Sequence, residues 1–158
     1  VQFKRGNLDM SVTRALTEAG LAPDGLELEL TESILIQNTE QVLATVRKLK
    51  AIGVKLSIDD FGTGYSSLAY LSRFSVDTLK IDRSFIHNMI DDAGSAAIVR
   101  AIIQMAKSLN LRTIAEGVED GDTLTRLRLH HCDAVQGYYY ARPMPAEQFS
   151  RYLGASRG

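Results

Sequence analysis

The sequence contains a single cysteine, Cys132, among its 158 residues. One thiol cannot form an internal disulfide or a cysteine-based zinc site, so we expect Cys132 to be a small buried side chain in a reducing compartment. Long apolar runs are also missing, and the amino terminus lacks the layout of a signal peptide. These absences predict a cytoplasmic domain without membrane contact of its own, although other domains of a longer parent protein would be free to anchor it.

An excess of charge of either sign is missing as well. Eighteen basic side chains balance nineteen acidic ones, which gives a net charge of -1. Proteins that bind nucleic-acid polymers or anionic membranes usually carry a cationic surplus. The charge balance therefore argues against a nucleic-acid polymer as the partner of this chain.

Short β-rich runs alternate with segments of helical periodicity. Strands are predicted at residues 26–30, 54–58, 78–81, 113–115 and 134–140. Helices are predicted at residues 8–19, 39–52, 66–74, 96–110 and 123–130, and again after Pro145. The alternation predicts parallel strands with helices outside them, and the strands show little polar alternation, as expected when both faces are covered. Five strands suit an open sheet or part of a (β/α)₈ barrel, which usually takes about 250 residues.

Polar and charged side chains gather at the carboxyl ends of the predicted strands, the edge where parallel α/β folds bind ligands. In strand order they are Glu29 and Glu32, Asp59 and Asp60, Lys80 and Asp82, Glu116 and Glu119, and Gln136. A single aspartate after a strand is usually a turn residue or a helix cap, but capping explains only one of the pair Asp59 and Asp60. A divalent cation would offset the repulsion between converging carboxylates. Oxygen ligands without cysteine favour Mg²⁺, Mn²⁺ or Ca²⁺ over zinc.

Lys80 is the cation that points into this acidic cluster. It would either form a structural ion pair with Asp82 or Glu116, or hold a nucleophilic water and neutralise a phosphate oxygen. The mixture of charges fits metal-assisted hydrolysis of a phosphoester, in which a carboxylate accepts the proton of the attacking water. The glycine-rich residues 61–67 lack the ending of a P-loop and predict a flexible loop beside the site.

Other side chains that often carry chemistry have simpler explanations. The three histidines, His87, His130 and His131, are expected at the surface and away from the strand ends. The consecutive tyrosines at residues 138–140 are predicted to pack in the core as part of the last strand, although one ring could stack on a nucleobase. We therefore assign the chemistry to the acidic cluster.

Five segments together resemble the EAL-type cyclic di-GMP phosphodiesterases, in the same order and over nearly the whole chain. They are LELTES at residues 28–33, DDFGTG at 59–64, LKIDR at 79–83, AEGVE at 115–119 and QGY at 136–138. The resemblance implies a TIM-type (β/α)₈ barrel, of which residues 1–158 would form the carboxyl-terminal part, about five-eighths of the whole. It also implies hydrolysis of cyclic di-GMP to linear pGpG with two Mg²⁺ or Mn²⁺ ions.

The same resemblance assigns a role to individual residues. The implied metal ligands are Glu29, Asp59 and Asp60. The implied catalytic side chains are Lys80, which orients the attacking water, Asp82 beside it, and Glu116, which serves as general base or as partner of a metal-held water. The implied substrate contacts are Gln136, at the water shell of the metal, and Glu119, Arg142 and Pro143, near a guanine or the phosphate. Glu32 would tether the loop at residues 61–67.

The Glu-Ala-Leu and Asn-Leu-Ser segments of the family, which supply further metal ligands, are not found in this sequence. We therefore expect those ligands upstream of Val1 in a longer parent, and little turnover by the chain alone. We also expect self-association, or pairing with the missing barrel strands, because bare strand edges associate readily. Two other functions stay open: a non-catalytic cyclic di-GMP-binding or protein-interaction module, and proton abstraction of the enolase type with Lys80 as base.

Overall fold

The computed structural model of the chain describes residues 7–34, 40–64, 71 and 73–155. Within these ranges the strands are β1 (Glu27–Thr31), β2 (Lys55–Phe61), β3 (Thr78–Ile81), β4 (Arg112–Glu116) and β5 (Ala134–Gln136). The helices are α1 (Leu8–Ala19), α2 (Glu40–Ile52), α3 (Arg83–Asn88), α4 (Ala93–Ser108), α5 (Gly121–Leu129) and α6 (Ala146–Ala155). The helix predicted at residues 66–74 lies largely outside the described residues. No helix in the described ranges has the length and apolar character needed to cross a lipid bilayer.

The five strands form one parallel sheet in their chain order, from β1 to β5. A strand order that never reverses, combined with right-handed crossovers, puts every connecting helix on the same face of the sheet. A doubly wound sheet reverses its order and carries helices on both faces. The observed order is therefore that of adjacent units of a (β/α)₈ barrel, which confirms the predicted fold class.

The two faces of the sheet differ in polarity. The outer face is apolar and belongs to the core that the helices cover; it carries Leu28, Leu30, Leu56, Ile58, Leu79, Ile81, Ala115 and Val135. The inner face carries mostly polar side chains, namely Glu29, Ser57, Asp59, Thr78, Lys80, Arg112, Glu116 and Gln136. The expectation that the strands lack polar alternation was wrong, because only the outer face of a barrel wall packs under helices.

Helices α2 and α4 supply much of the apolar layer over the outer face. Their buried apolar side chains are Val42, Leu43, Val46 and Leu49 in α2, and Val99, Ile102, Ile103 and Ala106 in α4. Ile98 is 41% exposed, because the buried stripe of α4 follows Val99 and Ile103. Cys132 packs against this core, and burial raises the pKa of its thiol, in keeping with the role of a small apolar side chain.

Two segments beside the strand ends differ from the prediction. Helix α3 was not predicted, because six residues are too few for a periodic apolar pattern; it begins where the Asp82 carboxylate accepts the Ser84 N–H. Strand β5 ends at Gln136 and not at residue 140. The tyrosines at residues 138–140 lie in a turn and are 46% to 50% exposed, so the prediction of core packing was wrong.

An aspartate that precedes a strand ties that strand to its neighbour in two places. Asp77, before β3, accepts the Leu56 N–H of β2 at 2.8 Å and binds Lys50 Nζ at 2.7 Å. Asp133, before β5, accepts both the N–H and the hydroxyl of Thr113 in β4, each at 2.8 Å. Burial acts to raise the pKa of Asp133, but the hydrogen bonds from Thr113 outweigh it and lower the pKa. Both contacts fix the amino edge of the sheet.

We expect Asp133→Ala to lower the free energy of unfolding by about 1–3 kcal/mol, because the buried Thr113 N–H loses its acceptor. Since the pKa of Asp133 is lower in the folded chain than its unfolded value of about 4, the stabilisation is complete above that value. It is lost as the pH falls through the folded pKa. Denaturant unfolding of the wild type and the variant, from neutral pH down to about pH 2, measures both effects.

The control is Asp91→Ala, in the exposed turn before α4, which should change the free energy of unfolding by less than about 0.5 kcal/mol. A stability difference between wild type and Asp133→Ala that persists unchanged at the acid end would contradict this account of the Asp133 carboxylate.

Candidate functional site

A β-bulge shapes the acidic pair at the end of β2. Between Ile58 and Phe61, β2 contains one residue more than the facing part of β3. Asp60 has a φ of +54°, a left-handed backbone conformation that is uncommon for a residue other than glycine. Neighbouring side chains of a regular strand point to opposite faces, and the bulge breaks this alternation. The carboxylates of Asp59 and Asp60 can therefore serve the same site.

Lys80 lies at the centre of the acidic cluster and is only 5% exposed. Its Nζ atom lies 2.6 Å from Glu29 Oε1, 2.7 Å from Glu116 Oε1 and 3.0 Å from Asp59 Oδ1. Burial acts to lower the pKa of Lys80, but the contacts with these three carboxylates outweigh it and raise the pKa above its ordinary value. The ammonium is therefore charged, and it joins β3 to the carboxyl ends of three other strands.

Asp59, Asp60 and Glu116 form a group of candidate metal ligands. One carboxylate oxygen from each lies within 4.8 Å of the other two. Asp59 Oδ1 is buried and accepts no hydrogen bond from the described residues. Its contact with Lys80 has the distance of an ion pair but not the alignment of a hydrogen bond. Hard oxygen donors with a buried acceptor left open fit Mg²⁺ or Mn²⁺.

Asp60 lies beside Asp82, and the charge of each carboxylate acts on the site they share. Loss of hydration, followed by the charges of Asp59 and Asp82, raises the pKa of Asp60. Burial acts to raise the pKa of Asp82 too, but hydrogen bonds from the hydroxyl and N–H of Ser84 outweigh it and lower the pKa. A divalent cation beside this pair would offset the repulsion between the two carboxylates.

Glu32 holds the residues that follow β2. Its carboxylate is buried, and Oε2 accepts the N–H of Gly62 at 3.0 Å and the N–H of Gly64 at 3.2 Å. Gly62 has a φ of +102°, a conformation that side chains rarely adopt. This is the contact that a loop-tethering role of Glu32 requires, although residues 65–67 of the predicted loop lie outside the described residues.

A cavity of about 360 Å³ opens between α3 and the segment that follows β4. Its walls are formed by Arg83, Ser84, His87, Asn88, Gly117 and Glu119. The cavity adjoins the acidic cluster, because Asp82 and Glu116 immediately precede two of these wall residues in the chain. His87 was expected at the surface, and it is exposed on α3, where it also forms part of this wall. Ser84 and Asn88 were not predicted as site residues, and their one available signal is their position just after β3.

The chain after β5 packs closely against the chain after β4. The N–H of Val118 donates to the Gln136 carbonyl at 3.1 Å, and the N–H of Tyr139 donates to the Val118 carbonyl at 3.0 Å. A Cβ atom on Gly137 would lie 2.1 Å from the Val118 carbonyl oxygen, so no larger residue fits without moving the backbone. This contact fixes the position of the segment that carries Glu119.

The three remaining candidate substrate contacts, Gln136, Arg142 and Pro143, are exposed at the same edge of the sheet. The guanidinium carbon of Arg142 lies 4.6 Å from the centroid of the Tyr138 ring. A cation held over an aromatic face in this way is attracted to it even at an exposed position. The pair presents a flat, positively charged surface.

Comparisons with known proteins agree with this geometry. The family model described as the EAL domain matches residues 2–143. Cyclic di-GMP phosphodiesterase NbdA of Pseudomonas aeruginosa is 48% identical over 153 residues, which are 97% of this chain and 20% of NbdA. This chain spans about a fifth of the length of the curated relatives that it matches.

Solved structures show the same fold. The PaMucR phosphodiesterase in its c-di-GMP complex is 46% identical, with a TM-score of 0.90 over 94% of this chain and 60% of that chain. The manganese/cy-diGMP complex of Klebsiella pneumoniae BlrP1 is 33% identical, with a TM-score of 0.78 over 84% of this chain and 34% of that chain.

We expect Gly137→Ala to lower the free energy of unfolding by about 1–3 kcal/mol, because the new Cβ atom would overlap the Val118 backbone. Gly154→Ala in α6 is the control, since a Cβ atom there has no neighbour within 4 Å. This control should raise the stability by about 0.5–1 kcal/mol, the difference in helix propensity. Denaturant unfolding compares the two variants, and a Gly137→Ala chain as stable as the wild type would contradict the close packing.

Proposed function

The chain belongs to the EAL domain family, and from that membership we propose that its barrel hydrolyses one phosphodiester bond of cyclic di-GMP to give linear pGpG. The observation that carries the proposal is the group of Asp59, Asp60 and Glu116 around a charged lysine at the carboxyl edge of the sheet. NbdA is named a cyclic di-GMP phosphodiesterase, and the PaMucR structure is a c-di-GMP complex. Both relatives support this choice of substrate.

The residues that would hold the metal are Glu29, Asp59 and Asp60, with Glu116 in the same group of oxygens. We propose a site for two cations, Mg²⁺ or Mn²⁺, and the manganese in the BlrP1 complex supports the choice. Three carboxylates contact one ammonium, and Asp60 and Asp82 lie beside them, which leaves negative charge for divalent cations to balance. When bound, the cations would neutralise charge on the phosphate and activate water for attack.

Glu116 and Lys80 are proposed to act on the attacking water and on the proton that it loses. Attack of water on phosphorus forms one P–O bond and breaks the bond to the 3′ oxygen, which leaves as a hydroxyl. Glu116 accepts the proton of the attacking water, and Lys80, 2.7 Å from that carboxylate, orients the water and balances charge on the phosphate. Asp82 is proposed to lie beside Lys80 and the attacking water, where its charge also acts on Asp60.

The cavity beside the cluster is proposed to take a guanine. Glu119 lies on its wall and would accept the N–H groups of the guanine edge. Gln136 is proposed to contact the water shell of the metal, and Arg142 and Pro143 to face the second guanine or a phosphate. The flat pair of Arg142 and Tyr138 supports this role, because guanidinium and aromatic planes both stack on bases. A cytoplasmic location is also proposed, and the single unpaired thiol supports it.

Self-association of the isolated chain is proposed as well. Among the described residues, β1 and β5 are the outer strands of the sheet, each with one free edge. Phe149, Tyr152 and Leu153 form an exposed apolar stripe on α6. Free strand edges and exposed apolar stripes both promote association.

We expect Glu116→Gln to lower the rate of hydrolysis by about 10²–10⁴-fold, the usual contribution of a general base. The measurement is formation of pGpG with Mg²⁺ or Mn²⁺ by protein that contains this chain. Glu147→Gln, in the exposed first turn of α6, is the control and should keep the wild-type rate. A wild type that binds cyclic di-GMP in calorimetry but forms no pGpG would contradict the proposal and favour the non-catalytic receptor.

Sedimentation velocity tests the association of the isolated chain, for which we expect a species at least as large as a dimer. The double variant Phe149→Ser/Leu153→Ser should shift the distribution toward monomer, because it removes two side chains of the stripe. Met10→Ser, which removes an exposed apolar side chain from α1, is the control. A monomeric wild type over a wide concentration range would overturn the proposal.

A further inference from the structure

We propose that Lys80 is an internal counter-ion of the proposed metal ligands, and that it competes with a divalent cation for their carboxylates. An ammonium group has three N–H donors and no acceptor. Three carboxylates, from Glu29, Asp59 and Glu116, lie 2.6 to 3.0 Å from its nitrogen. Lys80 Nζ donates a hydrogen bond to Glu29 and forms ion pairs with Asp59 and Glu116.

The partners of Lys80 are the proposed metal ligands, so the inference rests on the function proposed above. Asp59 and Glu116 belong to the group whose oxygens lie within 4.8 Å of one another, and Glu29 is the further proposed ligand. A divalent cation among the same oxygens would lie close to the ammonium, and like charges repel strongly in a partly buried site. Metal binding must therefore weaken some contacts of Lys80.

Lys80 lies among carboxylates that would otherwise repel one another. Side chains of Asp59 and Glu116 are mostly buried, and they come from β2 and β4, on either side of the strand that carries Lys80. Without a positive charge between them, these carboxylates would repel each other across the barrel mouth. Lys80 removes that repulsion, and by the same contacts it lowers the affinity of the site for metal.

Lys50 offers a matched control. It also binds a carboxylate at 2.7 Å, that of Asp77, and its side chain is partly buried. This ion pair lies just before β3, at the opposite edge of the sheet from the proposed ligands. Lys50→Met therefore removes one positive charge and one ion pair while leaving the metal site intact.

Calorimetric titration of the full chain with Mn²⁺ and with Mg²⁺, without cyclic di-GMP, tests the inference on the wild type, Lys80→Met and Lys50→Met. We expect Lys80→Met to bind the metal about tenfold more tightly or better, because the competing charge is gone. Lys50→Met should bind like the wild type. Equal or weaker binding by a folded Lys80→Met chain overturns the inference, since a lysine that merely positions the ligands predicts that result.

Thermal unfolding decides the case in which Lys80→Met does not fold in chelator. Added Mn²⁺ should then fold Lys80→Met, and further Mn²⁺ should raise its melting temperature more steeply than that of the wild type or of Lys50→Met. A smaller or equal rise, or a chain that stays unfolded at every Mn²⁺ concentration, overturns the inference. Neither measurement uses the dinucleotide. A longer protein that contains this chain and binds metal but forms no pGpG would therefore contradict the proposed function and leave this inference standing.

Discussion

The contact between one buried ammonium and carboxylates from three other strands is the constraint on which the barrel mouth depends. Lys80 of β3 reaches Glu29 of β1, Asp59 of β2 and Glu116 of β4. Parallel strands in sequential order bring their carboxyl ends to one edge, and that edge would accumulate negative charge without a central cation. Fold and site are therefore coupled. The sheet order that brings the carboxylates together also places Lys80 among them, and its positive charge reduces their repulsion.

The bulge in β2 adapts a regular sheet to this site. A strand can normally direct only alternate side chains to the inner face, so two adjacent aspartates could not both act there. The extra residue, with Asp60 in a left-handed conformation, gives the inner edge a second carboxylate. Glu32 then holds the glycines that follow, so the unusual backbone is supported from the end of the neighbouring strand.

Much of this arrangement could be predicted from the sequence, because regular strands and helices follow local patterns. The strand at residues 78–81 and the convergence of charged groups on one edge both came from such patterns. Features that depend on contacts between distant segments could not be predicted. Gly137 carries no local sign that it touches Val118, and without that contact the tyrosines after it resembled a continued strand. The strands do alternate between polar and apolar residues. This alternation was not predicted, because strands covered on both faces are expected to be apolar throughout.

The two sides of the barrel mouth are held by different kinds of contact. On the side of β4 and β5, backbone packs on backbone, with Gly137 against Val118. On the side of β1 and β2, the carboxylate of Glu32 accepts the N–H groups of Gly62 and Gly64. The two sides therefore respond differently to mutation. Loss of the Glu32 side chain would remove one acceptor of both glycine N–H groups, whereas the contact between Gly137 and Val118 is made by the backbone and does not depend on any one side chain.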